Sequence, residues 1–324
     1  MRRLLPLAAL TTLIAGLSIT STALAGGFTF QKGDIVAGAG NGTYNVFDPN
    51  GNLLTTLNTT SGAPEDTGGI FDSKGNLYVS NFASQSVSVF DINGNLTNAT
   101  FGSGYNADPE SVTLDKSGNV YVGQADGNAN ILKFDSAGNL LASYAPTREN
   151  RGTDWIDLAA DQHTIYYTSE GHKVMRFDTA TNTQLADFAT GLPGSDAYAL
   201  RILANGDVLV ADTSQVVLLD TNGNIIQSYF APGSSLLFAL NILPNGTSFI
   251  TADIFNNTIY QFNIATGVLE QSFKNPALVD TAGLIVFGEV TQGGGGGGEV
   301  PEPTTMALLG TGLSALLLKR RKKN

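Results

Sequence analysis

Apolar and polar residues alternate along most of the chain in short runs, separated by tight clusters of Gly, Asn and Asp. The run 86–90, Ser-Val-Ser-Val-Phe, alternates with a period of two, which predicts a half-buried β-strand. Apolar strands are predicted at 69–72 and 77–80, joined by a turn at Lys74-Gly75-Asn76. A second turn, Asn93-Gly94-Asn95, leads into a fourth strand from Leu96. Asn-Gly and Ser-Gly pairs supply the positive φ that such hairpin turns require.

This four-strand pattern recurs. An aromatic or Leu followed by Asp or Asn stands at Phe47-Asp48, Phe90-Asp91, Phe134-Asp135, Phe177-Asp178, Leu219-Asp220 and Phe262-Asn263, spaced by 43, 44, 43, 42 and 43 residues. A β-type repeat of that period predicts an all-β, six-bladed β-propeller with four strands per blade. The Asp after each aromatic is read as a turn residue accepting backbone N–H bonds. The first unit has strands at 34–37, 43–47 and 53–57 but no innermost strand, and one apolar strand, 283–287, is left over at the other end. The C-terminal strand therefore completes the first blade and closes the ring, which removes open sheet edges between first and last blades.

The ends have a different character. Arg2 and Arg3 precede an apolar run at 4–19, and Ala23-Leu24-Ala25 is a small-x-small cleavage site. Residues 1–25 read as a signal peptide cut by signal peptidase. The propeller domain is assigned to 26–290 and a Gly-rich linker to 291–299. At 300–324, Pro301-Glu302-Pro303 precedes an apolar run at 306–318 and a basic end at 319–323. That run is short for a bilayer span, but flanking Thr and snorkelling Lys make a short transmembrane helix feasible, with the basic end cytoplasmic.

Composition narrows the function. The net charge is −11, and the body from Gly26 to Glu299 holds 10 Lys and Arg against 27 Asp and Glu. Such a body repels phosphates, so no nucleic-acid partner is expected. The absence of cysteine excludes disulfides, thiol chemistry and thiolate metal sites. The variable loops lie on the face where the innermost strands begin, and function is expected there. Acidic residues gather just before those strands: Glu65, Asp66, Asp108, Glu110, Asp154, Asp196 and Asp280. Sixfold geometry brings them toward the channel mouth, where they are candidate ligands of Ca²⁺ or another divalent cation; without one they raise each other's pKa. Solvated loop acids are the plainer reading. A second acidic series, Glu170, Asp212 and Asp253, ends the second strands and reads as loop hydrogen-bonding. Tyr105, Trp155 and Tyr198 are candidates for stacking on sugar rings. His163 and His172 stand alone, and no catalytic residue is assigned.

Residues 300–324 resemble the PEP-CTERM sorting signal. That resemblance implies processing by an exosortase-type transpeptidase near Pro301–Pro303, transient inner-membrane anchoring, and export to the surface or extracellular matrix of a Gram-negative bacterium making exopolysaccharide. Residues 33–288 resemble NHL-type repeats and the gluconolactonase/regucalcin-like six-bladed group, which imply the fold more firmly than any activity. Those enzymes hold one divalent ion near these strand starts. Asp154 and Asp196 fall at two such positions, while the group's first-blade Glu has no counterpart. The balance favours a non-catalytic module binding an exopolysaccharide or surface protein. The alternative is a metal-dependent lactonase-like hydrolase or a lyase acting on a sugar or polysaccharide.

Overall fold

The computed structural model describes residues 27–294. The expected signal peptide with Ala23 and Ala25, the sorting motif Pro301-Glu302-Pro303 and the short apolar helix lie outside the described residues. Among the described residues no helix is long and apolar enough to cross a membrane.

Six antiparallel sheets form the blades. The first contains β1 (Ile35–Gly38), β2 (Thr43–Phe47) and β3 (Leu53–Asn58). The second is β4 (Asp66–Phe71), β5 (Leu77–Asn81), β6 (Ser86–Phe90) and β7 (Leu96–Phe101). The third is β8 (Pro109–Leu114), β9 (Val120–Gln124), β10 (Ile131–Phe134) and β11 (Leu140–Tyr144). The fourth is β12 (Ile156–Leu158), β13 (Thr164–Tyr167), β14 (Lys173–Asp178), β15 (Thr183–Gln184) and β16 (Ala189–Thr190). The fifth is β17 (Ala197–Ile202), β18 (Val208–Asp212), β19 (Gln215–Leu219) and β20 (Ile225–Tyr229). The sixth is β21 (Leu237–Ile242), β22 (Ser248–Asp253), β23 (Thr258–Asn263) and β24 (Leu269–Lys274). In the fourth blade the outer strand is split, because β15 and β16 both pair with β14.

The ring closes as the sequence predicts. β25 (Leu284–Val286) pairs antiparallel with β1 through Ile35–Val286, Val36–Ile285 and Ala37–Leu284, giving the sheet order β25-β1-β2-β3. Middle strands such as β5 and β6 are buried throughout, because neighbouring blades cover both faces. Outer strands such as β24 alternate between intermediate and exposed positions.

The repeated turns share one construction. Asp72 Oδ1 accepts the N–H groups of Lys74 and Asn76 at 2.8 Å, and Asp72 Oδ2 accepts Asn76 Nδ2 at 2.8 Å. The same Asp–Asn pairing recurs at Asp48–Asn52, Asp91–Asn95, Asp115–Asn119, Asp135–Asn139 and Asp220–Asn224. These bonds hold the Asp48, Asp91, Asp135 and Asp220 carboxyls below the usual range. They define a turn face, opposite the face of longer inter-blade loops.

Two segments outside the blades lie against the turn face. Phe30 donates its N–H to Ile92 O and packs edge-on against Phe71 at 4.8 Å. After β25, residues 287–294 form a strap across the channel end. Gln292 donates its N–H to Ile202 O at 3.0 Å and accepts Ala160 N–H on Oε1 at 3.2 Å. Gly293 O accepts Gln162 Nε2 at 2.9 Å. Residues 291–294, expected as the start of the linker, thus belong to the strap, because backbone and side-chain bonds tie them to blades four and five.

Gly283 enters β25 so close to β4 that a Cβ would collide with the Thr67 carbonyl. Gly283→Val is therefore expected to cost about 3 kcal/mol or more, by forcing the closing strand away from the second blade. A lower thermal melting temperature, with the native circular-dichroism spectrum retained below it, is the outcome that checks this.

Candidate functional site at the channel mouth

The longest inter-blade loop, residues 145–155, runs between β11 and β12. It is clamped on both sides. Thr153 donates its N–H to Gln124 O at 2.9 Å, and its hydroxyl accepts Gln124 N–H at 3.1 Å. Glu149 N–H donates to Ser169 Oγ at 3.0 Å, and Asn150 Nδ2 to Glu170 O at 2.8 Å. Gly152 fits because a Cβ there would strike the Gln124 and Ala125 carbonyls. This clamped loop positions Arg151, Asp154 and Trp155.

Arg151 forks onto Asp126, with Nη2 at 2.7 Å from Oδ2 and Nε at 3.3 Å from Oδ1. Its Nη1 donates to Glu170 Oε1 at 3.0 Å, and its guanidinium lies 5.4 Å from the Phe82 ring centroid. One arginine thereby joins the loop ends of blades two, three and four. Asp108 lies beside Asp126; burial and that second carboxyl raise its pKa, while Arg151 opposes the rise. Asp108 also accepts Ala83 N–H at 3.0 Å.

Glu110 and Asp154 are both 2 % exposed. Among the described residues, Glu110 Oε2 and both carboxylate oxygens of Asp154 have no hydrogen-bond partner. Burial pushes Glu110 up to about 8, with further upward pushes from the Glu170, Glu65 and Asp126 charges and a downward pull from Arg151. Asp154 is raised well above the carboxylate range, first by burial and then by the Glu110 and Glu170 charges. Tyr198, half-buried with its ring tilted against Phe238 at 4.6 Å, is pushed up to about 12 by burial and by Asp196, Glu170, Glu110 and Asp154. These carboxylates therefore share one electrostatic site.

Other expected site residues are distributed differently. Asp66 is buried and acts as a strut to the first blade, accepting Thr43 N–H at 2.9 Å on Oδ2; burial raises it to about 7. Asp196 is half-buried and accepts Ser195 Oγ at 2.6 Å. Glu65 and Asp280 are exposed, and Asp280 takes a left-handed φ of 44°. Trp155, expected to stack on a ligand, is 1 % exposed. Its indole fills the channel below the mouth, against Phe238 at 6.4 Å and the Arg201 guanidinium at 5.6 Å, and reaches toward Gly68. No face of it is left for a ligand. Tyr105 packs 5.5 Å from Phe134 and donates to Phe101 O at 2.9 Å. It borders a loop-face cleft of about 460 Å³ whose lining includes none of the mouth carboxylates.

The sequence pattern gives Arg151 and Asp126 no role and places Glu170 among the loop hydrogen-bonding acids. Asp212 and Asp253 do fit that role: Asp212 accepts Gly194 N–H at 2.7 Å, and Asp253 accepts Phe255 N–H at 2.8 Å. Glu170 departs from the series because Arg151 faces it. The available signal was an arginine three residues before Asp154 in the longest loop.

The opposite end of the channel is closed. Glu289 in the strap accepts Arg201 Nε at 3.0 Å and Ile242 N–H at 2.8 Å on Oε1, and Asn241 Nδ2 at 2.8 Å on Oε2. Asp157 accepts Ile202 N–H at 2.8 Å nearby, and burial raises it to about 6 against the pull of Arg201. Among the described residues no three His, Asp or Glu side chains are grouped to hold a metal ion.

Residues 299–322 match the PEP-CTERM protein-sorting motif. The motif indicates export, C-terminal membrane anchoring before sorting, and processing by an exosortase-type system. Residues 89–144, from the end of β6 through β11, match the strictosidine synthase-like N-terminal family. A probable peptidyl-alpha-hydroxyglycine alpha-amidating lyase of Caenorhabditis elegans is 25% identical over 164 residues, 44% of this chain and 46% of that protein. The chain thus spans less than half the length of that relative. Among solved structures, the nidogen/laminin complex aligns with a TM-score of 0.63 at 14% identity, over 78% of this chain and 97% of the other. A protein of unknown function from Bacteroides caccae aligns at 0.62 and 13%, over 78% and 98%. The WD40 β-propeller domain of Doa1 aligns at 0.55 and 13%, over 75% and 79%. These likenesses concern the propeller fold alone.

Glu110 sets a pH dependence. Its pKa is raised on folding, so its burial costs nothing below the unfolded value near 4.5. The cost grows as pH rises and is complete above about 8. Glu110→Gln mimics the protonated form and is expected to melt about 5–10 °C above the wild type at pH 8.5, with the gap closing near pH 4. Melting curves of both proteins across that pH range check the sign.

Proposed function

We propose that this exported, PEP-CTERM-sorted propeller is a surface binding module that takes its ligand, an exopolysaccharide or surface protein, at the channel mouth. The observation that carries the reading is the pair of carboxylates Glu110 and Asp154, whose three oxygens have no partner among the described residues; both are 2 % exposed, so a ligand has to displace their cover to pair with them. Buried polar atoms are ordinarily satisfied, and exceptions concentrate where a ligand or chemistry supplies the partner. Tyr198 adds a half-buried aromatic ring beside them. Hydroxyl or amine donors suit such acceptors, whereas a purely anionic polymer meets the negative body.

A second reading, a hydrolase or lyase acting on a sugar, a polysaccharide or a related small substrate, is favoured by the amidating-lyase and strictosidine synthase-like similarities. The divalent ion attached to that reading, calcium or another, would have to be held by Glu110 and Asp154 with their neighbours. A peptide ending in α-hydroxyglycine is the substrate that the relative's name suggests trying.

Asp154→Asn and Tyr198→Ala test the first reading. Binding isotherms against soluble neutral, basic and acidic polysaccharides are expected to weaken at least tenfold in both variants for whichever polymer the wild type binds, with melting temperatures within a few degrees. Unchanged isotherms in both variants would place binding elsewhere on the surface. Glyoxylate release from the hydroxyglycine peptide, lost in Asp154→Asn, would establish the second reading instead.

A further inference from the structure

The carboxylates at the mouth gather around one arginine. Asp108, Glu110, Asp126, Asp154 and Glu170 share one field, and the cation that lowers the raised pKa values of Asp108, Glu110 and Asp154 is Arg151. Its guanidinium bonds Asp126 on one side and Glu170 on the other, at 2.7 and 3.0 Å. Asp154, buried and unpartnered at both oxygens, belongs to the same electrostatic group. Calcium takes six to eight oxygens at short range, and a guanidinium between Asp126 and Glu170 both fills the space between those two and repels the ion. The donor set does not fit a metal while Arg151 is in place.

We infer that Arg151 is the built-in cation of the channel mouth, standing where a divalent ion would otherwise be held, so that the propeller needs no metal there. The inference concerns the charge balance of the mouth; it is compatible with the binding module and with a metal-free reaction, and it opposes the divalent ion attached to the second reading. The planar fork suits this part better than an ammonium, because it bonds Asp126 through two nitrogens while a third reaches Glu170. Fixed in a clamped loop, it ties three blades together at little further entropic cost. A ligand entering the mouth meets a ring of acceptors with one fixed positive charge, not an exchangeable ion.

Removing the guanidinium should convert the mouth into a metal site. In the full chain, wild type is expected to melt at the same temperature in millimolar calcium and in chelator. Arg151→Ala should melt lower in chelator and recover most of the loss in calcium, with calcium affinity by titration calorimetry at least tenfold above wild type. Arg151→Gln keeps part of the hydrogen bonding and serves if the alanine variant fails to fold; it should show the same calcium response. Arg151→Lys retains the charge and should remain indifferent to calcium. A wild-type protein that loses stability on chelation would overturn the inference. So would variants that fold but bind calcium no better than wild type.

Discussion

The pairing of β25 with β1 is a short ladder, yet the rest of the molecule is arranged around it. Without it the chain is a row of stacked sheets, with β1 and the inner face of blade six both open. With it, the first blade is assembled from the two ends of the domain, and every blade has two neighbours. The inner strands must then pack very closely, which explains glycine where Gly283 meets the Thr67 carbonyl and Gly38 meets that of Asp66. Closure also brings residues 287–294 to the turn face. There Glu289 is held by Arg201, Asn241 and the Ile242 N–H, and the strap shuts one end of the channel.

With that end shut and Trp155 filling the channel, the loop-face mouth holds Glu110 and Asp154, with three unpartnered carboxylate oxygens between them. Burying Glu110 and Asp154 without partners opposes folding, since each ionised carboxylate loses hydration with no compensating bond. The fold tolerates them because the surrounding core is large, β8 holds Glu110 and the clamped 145–155 loop fixes Asp154. The aspartates of the repeated turns behave differently. The turn aspartates accept several N–H bonds each and are held below the usual carboxylate range, whereas Glu110 and Asp154 are pushed above it. One residue type thus serves two opposite roles, separated by hydrogen-bond supply.

The blades, the turns and the closing strand were legible in the sequence because each is written locally. A period near 43 residues, the Gly-Asn turns and one surplus apolar strand suffice to specify the ring. The site was legible only in outline. Glu110 and Asp154 were found because position before an inner strand is also a local signal. Arg151 escaped because its partners, Asp126 and Glu170, are brought to it from adjacent blades, and no spacing records that. Trp155 was misplaced for a related reason. An aromatic at a strand start can point up into the mouth or down the channel, and the choice is made by Phe238, Arg201 and Gly68 from three other blades.

Closure and site come together in the direction of the mouth. The N-terminal segment around Phe30 and the strap ending at Gly294 both lie on the turn face. The sorting motif at 299–322 follows the strap by only a few residues. An anchor attached there acts first on the strap's bonds to Ala160, Gln162 and Ile202, and then through Glu289 on Arg201, Asn241 and Ile242, all away from the mouth. Ring closure, which looks like a purely structural requirement, therefore also sets the tether on one face and leaves the unpaired carboxylates on the other, clear of the point of attachment.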